Sequence, residues 1–233
     1  MSNPSEFNTP SRMLFIIAGS KLAEKTVELL KQHHSPIQYT FAGTGTATSE
    51  MMDLLGLGTA EKTVVVSILP RDVASHILSR INDLLQEVER ASRGIAFTLA
   101  IPSATKLLLR LMGAVQDNFE AQPERKEEPF MTDKNHTLIT AIVNQGYSEE
   151  VMNAARGAGA RGGTVIHTRR ISDEKAVSAT GLGVQEEQEL ILILADAEHK
   201  LPIMQAIGEK CGVHSDAKGI VLSLPIDSAV GLR

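Results

Sequence analysis

Aromatic side chains are scarce. The chain has two Tyr, six Phe and no Trp, together 3% of its residues. That argues against stacking platforms for single-stranded nucleic acid and against aromatic cages for cations. An excess of basic charge is lacking too. Lys and Arg number 23 against 28 Asp and Glu, a net charge of −5, and the isoelectric point is about 5.8. No nucleic-acid partner is expected from such a balance. The single cysteine, Cys211, excludes an internal disulfide and a cysteine-cluster zinc site. No apolar run approaches the roughly 18 residues of a membrane-spanning helix. The opening MSNPSEFNTPSR has no apolar signal core. The expectation is a reduced, cytoplasmic protein. What is present is ordinary for a globular chain: 233 residues, 42% hydrophobic and 22% charged, enough for one large or two small domains.

The chain repeats itself. Gly56-Leu57-Gly58 recurs as Gly181-Leu182-Gly183, and Gly94-Ile95 as Gly219-Ile220, both 125 positions on. Ile68/Ile193, Leu69/Leu194, Leu99/Leu224, Ile101/Ile226, Ser103/Ser228, Ala104/Ala229 and Leu107/Leu232 keep the same offset. One offset held over so long a stretch marks a duplicated structural unit. The copies span residues 12–110 and 136–233. Between them, residues 111–135 are read as a linker, because their centre QPERKEEP is charged and bounded by prolines. Lys106 to Met112 extends the first copy as a short helix.

Each copy carries the same order of elements. In the second, His136–Val143 is a β-branched apolar run and reads as a buried strand. Ser148 is placed to cap a helix, with Glu149 and Glu150 in its first turn, where the helix dipole favours anions. The helix ends in the glycine cluster 157–163. Thr164–Thr168 is a second strand and Glu189–Leu194 a third. A helix follows from Ala197 to Cys211, with Pro202 tolerated in its first turn and Gly212 as its cap. Gly219–Leu224 is the fourth strand. The first copy reads as strand 13–18, helix 22–33, strand 37–42, strand 63–69, helix 72–90 and strand 95–101. Two βαβ crossovers on one antiparallel sheet give an α+β, ferredoxin-like (βαββαβ) fold, twice over. Helices cover one sheet face only, so the other face needs a partner.

Gly157-Ala158-Gly159-Ala160-Arg161-Gly162-Gly163-Thr164-Val165-Ile166-His167-Thr168-Arg169 resembles the helix-to-strand corner of the P-II nitrogen-regulator superfamily. Lys218-Gly219-Ile220-Val221-Leu222-Ser223-Leu224-Pro225-Ile226-Asp227 resembles the fourth strand of its P-II-like branch. The resemblance covers nearly all of the second copy and reaches the first only through the repeat, as a degenerate unit. It implies a signalling protein rather than an enzyme. In that family three chains assemble, and an effector, often an adenine nucleotide with 2-oxoglutarate, binds in each cleft between subunits. A loop between the second and third strands docks on a target, a transporter or enzyme of nitrogen or carbon metabolism. That loop would be 169–182 here and 43–57 in the first copy. ATP, ADP or AMP is the effector the resemblance implies. A homo-oligomer follows, a trimer first and a dimer as its alternative. The chain also departs from the pattern. Neither loop holds a Tyr that could be uridylylated. No Lys ends the first strand at Ile142-Val143-Asn144-Gln145-Gly146, and the phosphate-gripping arginine pair has no match.

The residues nominate the same region on their own terms. His167, Arg169 and Arg170 concentrate donors at the end of the second strand, and guanidinium forks suit phosphate or carboxylate. Thr164 would join them on the cleft side of the sheet. Ser215-Asp216-Ala217-Lys218-Gly219 is a loop of small residues with one point charge, open to close backbone approach. Each has a plain alternative: a solvated loop base for the basic group, a turn feeding a strand for the loop. Gly43-Thr44-Gly45 and Gly56-Leu57-Gly58 read as loop glycines. His33-His34 closes the first helix, where favourable contact with the helix C-terminus is the expected role. No phosphate-loop or dinucleotide glycine motif is present, and no catalytic residue is nominated. Two rival functions stay open: a metal-binding trimer module of the same fold, and an enzyme using His167 or Thr140 inside a cavity on the sheet.

Overall fold

The computed structural model describes residues 10–46, 60–87, 94–119, 135–169 and 186–231. The chain divides into two compact units. The first comprises residues 1–41, 63–133 and 226–233, the second residues 42–62 and 134–225. The C-terminal tail thus belongs with the first unit, although the repeat assigns it to the second copy.

In the first unit, β1 (Ser11–Ala18) lies between β3 (Ala60–Pro70) and β4 (Ile95–Ile101), antiparallel to both. The strand β2 (Gln38–Gly45) begins in this unit. Helices α1 (Ser20–Gln32) and α2 (Arg71–Glu87) follow β1 and β3. They form because apolar residues recur at helical spacing: Leu22, Ala23 and Leu30 are buried along α1, with Thr26 among them donating its hydroxyl to the Leu22 carbonyl, and Val73, Ile77 and Ile81 along α2. Alternate strand residues meet them, Leu14, Ile16 and Ala18 from β1 with Val65 and Leu69 from β3. A third helix, α3 (Lys106–Asp117), runs further than the short extension read from sequence, so its last turns occupy the start of the expected linker. It buries Met112 and Val115.

The second unit has the strands β5 (His136–Asn144), β6 (Thr164–Arg169), β7 (Glu187–Asp196) and β8 (Ile220–Pro225), with helices α4 (Ser148–Gly157) and α5 (Lys200–Cys211). Their sheet order is β8-β5-β7-β6, the order of a ferredoxin-like fold. A 3₁₀ turn at Ala197–His199 precedes α5 and brings Pro202 into its first turn. Ile203, Ile207 and Cys211 are buried against Ile139, Ala141, Val143, Ile191 and Ile193. The end of β2 also lies in this unit: Thr44 and Gly45 pair with Val165 and Thr164. Gly43 and Gly45 are therefore strand residues, not the loop glycines expected; Gly56-Leu57-Gly58 lies outside the described residues. Thr46 completes the clip, exchanging hydrogen bonds with both backbone groups of Gly163.

The tail of the chain returns to the first unit and forms a strand absent from the sequence reading. β9 (Ser228–Val230) pairs antiparallel with β4, Phe97 opposite Ala229. Arg12 fastens its approach, Nε to Asp227 Oδ2 at 2.5 Å and a second nitrogen to Oδ1 at 3.4 Å. The Asp227 amide donates to the Thr98 carbonyl, and Val230 enters the core.

Candidate functional site

The strand register of the second unit fixes which nominated residues can act together. Cross-strand partners share a sheet face. His167 pairs with Glu189, and Glu189 with Val143; Val143 belongs to the core beneath the helices. His167 and Arg169 therefore stand on the helix-covered side, at the end of β6. Thr164 pairs with Leu192, and Leu192 with Thr140, on the opposite side. It is buried and lies about 10 Å along the strand from His167, at roughly 3.3 Å per residue. Thr164 is thus separated from the two basic residues in depth and in face. The cause is the odd spacing of three positions, which flips a strand side chain. Arg170 and most of the expected target loop fall outside the described residues.

The basic residues are already partnered by carboxylates. Arg169 meets Glu186 at 2.6 Å and Glu187 at 3.9 Å. Its hydrogen bond to Glu186 and the two acidic charges raise its affinity for its proton. An incoming anion must compete with both glutamates. His167 Nδ1 lies 3.9 Å from Glu189 Oε1, and its side chain is 66% exposed.

Glu189 itself was not nominated from sequence. Its carboxylate is buried and accepts the Ser148 amide at 2.8 Å. Ser148 is the first residue of α4, preceded by Tyr147, which makes no side-chain cap. One orphan amide at the helix start, that of Ser148, is thus met from a neighbouring strand.

The turn from α5 to β8 is the most tightly built part of this edge. Cys211, Gly212, Ser215, Asp216 and Ala217 all have their carbonyls engaged within the unit. Gly219 N–H donates to Cys211, and Ser215 to Gly212. Lys218 N–H donates to Ser215, the Asn144 amide to Ala217, and Asn144 Nδ2 to Asp216. These five oxygens are thus occupied by donors of the unit itself. A Cβ on Gly219 would lie 2.1 Å from the Cys211 oxygen, and one on Gly212 2.2 Å from the Gly208 oxygen. Both positions need glycine for that approach. Between them Lys218 holds φ +50°, a left-handed backbone that costs a side-chain-bearing residue about 1 kcal/mol. Non-glycine residues held this way cluster at functional sites. Lys218 and Gly219 sit where β5 ends, at the same end of the sheet as His167 and Arg169, with β5 and β7 between.

His33 is placed differently from expectation. His33 ends α1, but its ring packs edge-on to His76 with centroids 5.0 Å apart, and both rings meet Phe119. Burial, then the neighbouring His76, Arg80 and His34, push its pKa down from 6.5. That favours the neutral ring rather than a cation on the helix dipole. Among the described residues no group of three or more His, Cys, Asp or Glu is placed to hold a metal ion. Thr140 is buried opposite Leu192 and Leu222. A groove of about 380 Å³ lies in the first unit, lined by Glu24, Glu28, Lys31, Thr40 and Thr63 among others, and includes neither Thr140 nor His167. No helix among the described residues is long and apolar enough to cross a membrane.

No family model and no curated protein matches the chain. Solved structures do. A PII-like signaling protein from Thermus thermophilus is 23% identical, over 40% of this chain and 87% of its own, with a TM-score of 0.28. The divalent ion tolerance protein CutA1 from Ehrlichia chaffeensis is 7% identical, over 46% of this chain and 96% of its own, with a TM-score of 0.34. The regulatory subunit of aspartate kinase from Thermus flavus is 10% identical, over 87% of this chain and 93% of its own, with a TM-score of 0.27.

Proposed function

We propose that this chain is a tandem P-II-like regulatory protein. Its second unit senses a small anionic effector, an adenine nucleotide first, and passes the state of its 169–182 loop to a protein partner. The observation that carries the reading is the turn 212–219. Five carbonyls from Cys211 to Ala217 are hydrogen-bonded within the unit, glycines close the turn on both sides, and a lysine is held in a left-handed backbone at its exit. Such a turn offers close backbone approach and a point charge to a phosphate.

His167 and Arg169 supply further donors at the same end of the sheet. Arg169 works as a switchable group: an effector phosphate and the Glu186 carboxylate compete for one guanidinium. Release of Glu186 would alter the base of the adjoining loop, which links occupancy to loop order. Thr164 has no part in this reading, since it faces the other way. Regulation, not catalysis, is the activity proposed, in the cytoplasm and in an oligomer of identical chains, a trimer before a dimer. Target identity within nitrogen or carbon metabolism rests on the sequence resemblance.

Calorimetric titration of the purified chain with ATP, ADP, AMP and bicarbonate tests the reading. Saturable binding of at least one nucleotide, lost in Lys218→Gly, is the expected result. No heat from any of the four, with the oligomer intact, contradicts it.

A further inference from the structure

The duplication allows one unit to be read against the other, position by position. Strands β4 and β8 are repeat equivalents, so Ile95, Phe97 and Leu99 correspond to Ile220, Leu222 and Leu224. In the first unit these side chains are covered: Phe97 is fully buried and stacks on Phe15 at 5.2 Å, while Ile95 and Leu99 are half-buried. In the second unit the same positions are partly exposed, Ile220 49%, Leu222 37% and Leu224 38%. The edges differ in the same way. The outer edge of β4 is taken by β9, residues Ser228–Val230. β8 pairs with β5, and among the described residues no strand takes its other edge. An apolar strand with an open edge is a template for another strand.

The segment that fills the β4 edge also has a repeat equivalent. Ser228-Ala229-Val230 corresponds to Ser103-Ala104-Thr105. That stretch follows β4 just as β9 follows β8, and it lies outside helix and strand. Pro102, Ser103 and Thr105 are exposed, Ala104 is half-buried, and Thr105 has extended backbone, φ −68° and ψ 153°. It shares Ser and Ala with β9, ends in extended backbone, and among the described residues joins no strand.

We propose that the open edge of β8 is a strand-pairing interface, and that its occupant is Pro102–Thr105 of a second copy of this chain. The register follows from the filled edge. Phe97 faces Ala229 and Ala96 faces Val230, so Leu222 faces Ala104 and Val221 faces Thr105 of the neighbour. This interface is independent of whether any effector binds at the 212–219 turn.

Paired cysteines test the register directly. The double variant Ala104→Cys, Leu222→Cys, oxidised at micromolar concentration, should give covalently joined chains in most of the protein. Either single variant should give at least tenfold less, since Cys211 is buried. Moving one cysteine off register, Ala104→Cys with Ser223→Cys, should likewise give at least tenfold less. A second variant, Ala104→Pro, removes one amide from an irregular, already extended segment. It should keep the fold by circular dichroism and lower the oligomer's sedimentation coefficient. Joined chains in register only, with dissociation by Ala104→Pro, support the proposal. A 104–222 disulfide closed within one chain overturns it. So does cross-linking indifferent to register, or an oligomer untouched by the proline.

Discussion

Three residues separate folding from function. Gly219 is fixed by the Cys211 carbonyl, so Gly219→Ala should cost on the order of 3 kcal/mol, the scale of a backbone clash that must be relieved by movement. Lys218 behaves oppositely. Lys218→Gly relaxes a left-handed residue and should leave stability unchanged or raise it by about 1 kcal/mol, read by urea denaturation, while effector binding falls. Glu189 caps α4 from across the sheet. Glu189→Ala should cost about 1–2 kcal/mol, because Ser148 is left with an unpaired amide at a helix start. Glu189→Gln, which keeps an acceptor oxygen, should recover most of that. If Glu189→Ala unfolds at the wild-type urea midpoint, the cap makes no net contribution.

At the scale of elements, the ring cluster joining α1, α2 and the end of α3 sets a pH dependence. His33 in the folded chain holds a proton less readily than its ordinary value of 6.5. Below that value the unfolded chain binds more protons, so stability is full above it and declines as the pH drops through it. His33→Phe should flatten the slope of the denaturation midpoint between pH 7.5 and 5.5; an unchanged slope would place its origin elsewhere. The C-terminal strand rests on the Arg12–Asp227 pair, which is largely sheltered from water. Removing one partner of such a pair by Arg12→Ala should cost about 2 kcal/mol. Hydrogen exchange should then speed up at residues 228–230 before the rest of the first unit.

The strands β1, β5 and β7 were legible because β-branched apolar runs have few other uses, and α1 and α2 because apolar spacing near 3.6 is hard to mistake. β9 was not. Three residues give no alternation to read, and its partner β4 lies far off in sequence. The cap on α4 escaped for the same reason: Glu189 is 41 positions from the amide it meets. The parity that sets Thr164 against His167 was there to be read from their spacing. The tying-down of Arg169 by Glu186 was not, because it needs the geometry of the hairpin.

For the whole molecule, the lesson is asymmetry within a duplication. The two copies share their order of strands and helices, yet the first unit's edge is closed by the tail, and among the described residues no strand takes the second's. At the place of Lys218-Gly219 the first copy has Arg93-Gly94, which keeps a cation beside the glycine. A fused repeat can divide its tasks, and the account gives sensing to the second unit while assembly draws on both, the edge of β8 in the second and Pro102–Thr105 in the first. The most direct test is a nucleotide titration of wild type beside Lys218→Gly, with stability and oligomeric state measured on the same samples. The account predicts binding that weakens at least tenfold in the variant while fold and assembly persist. Equal affinity in both proteins, or no binding by a properly assembled wild type, would contradict it.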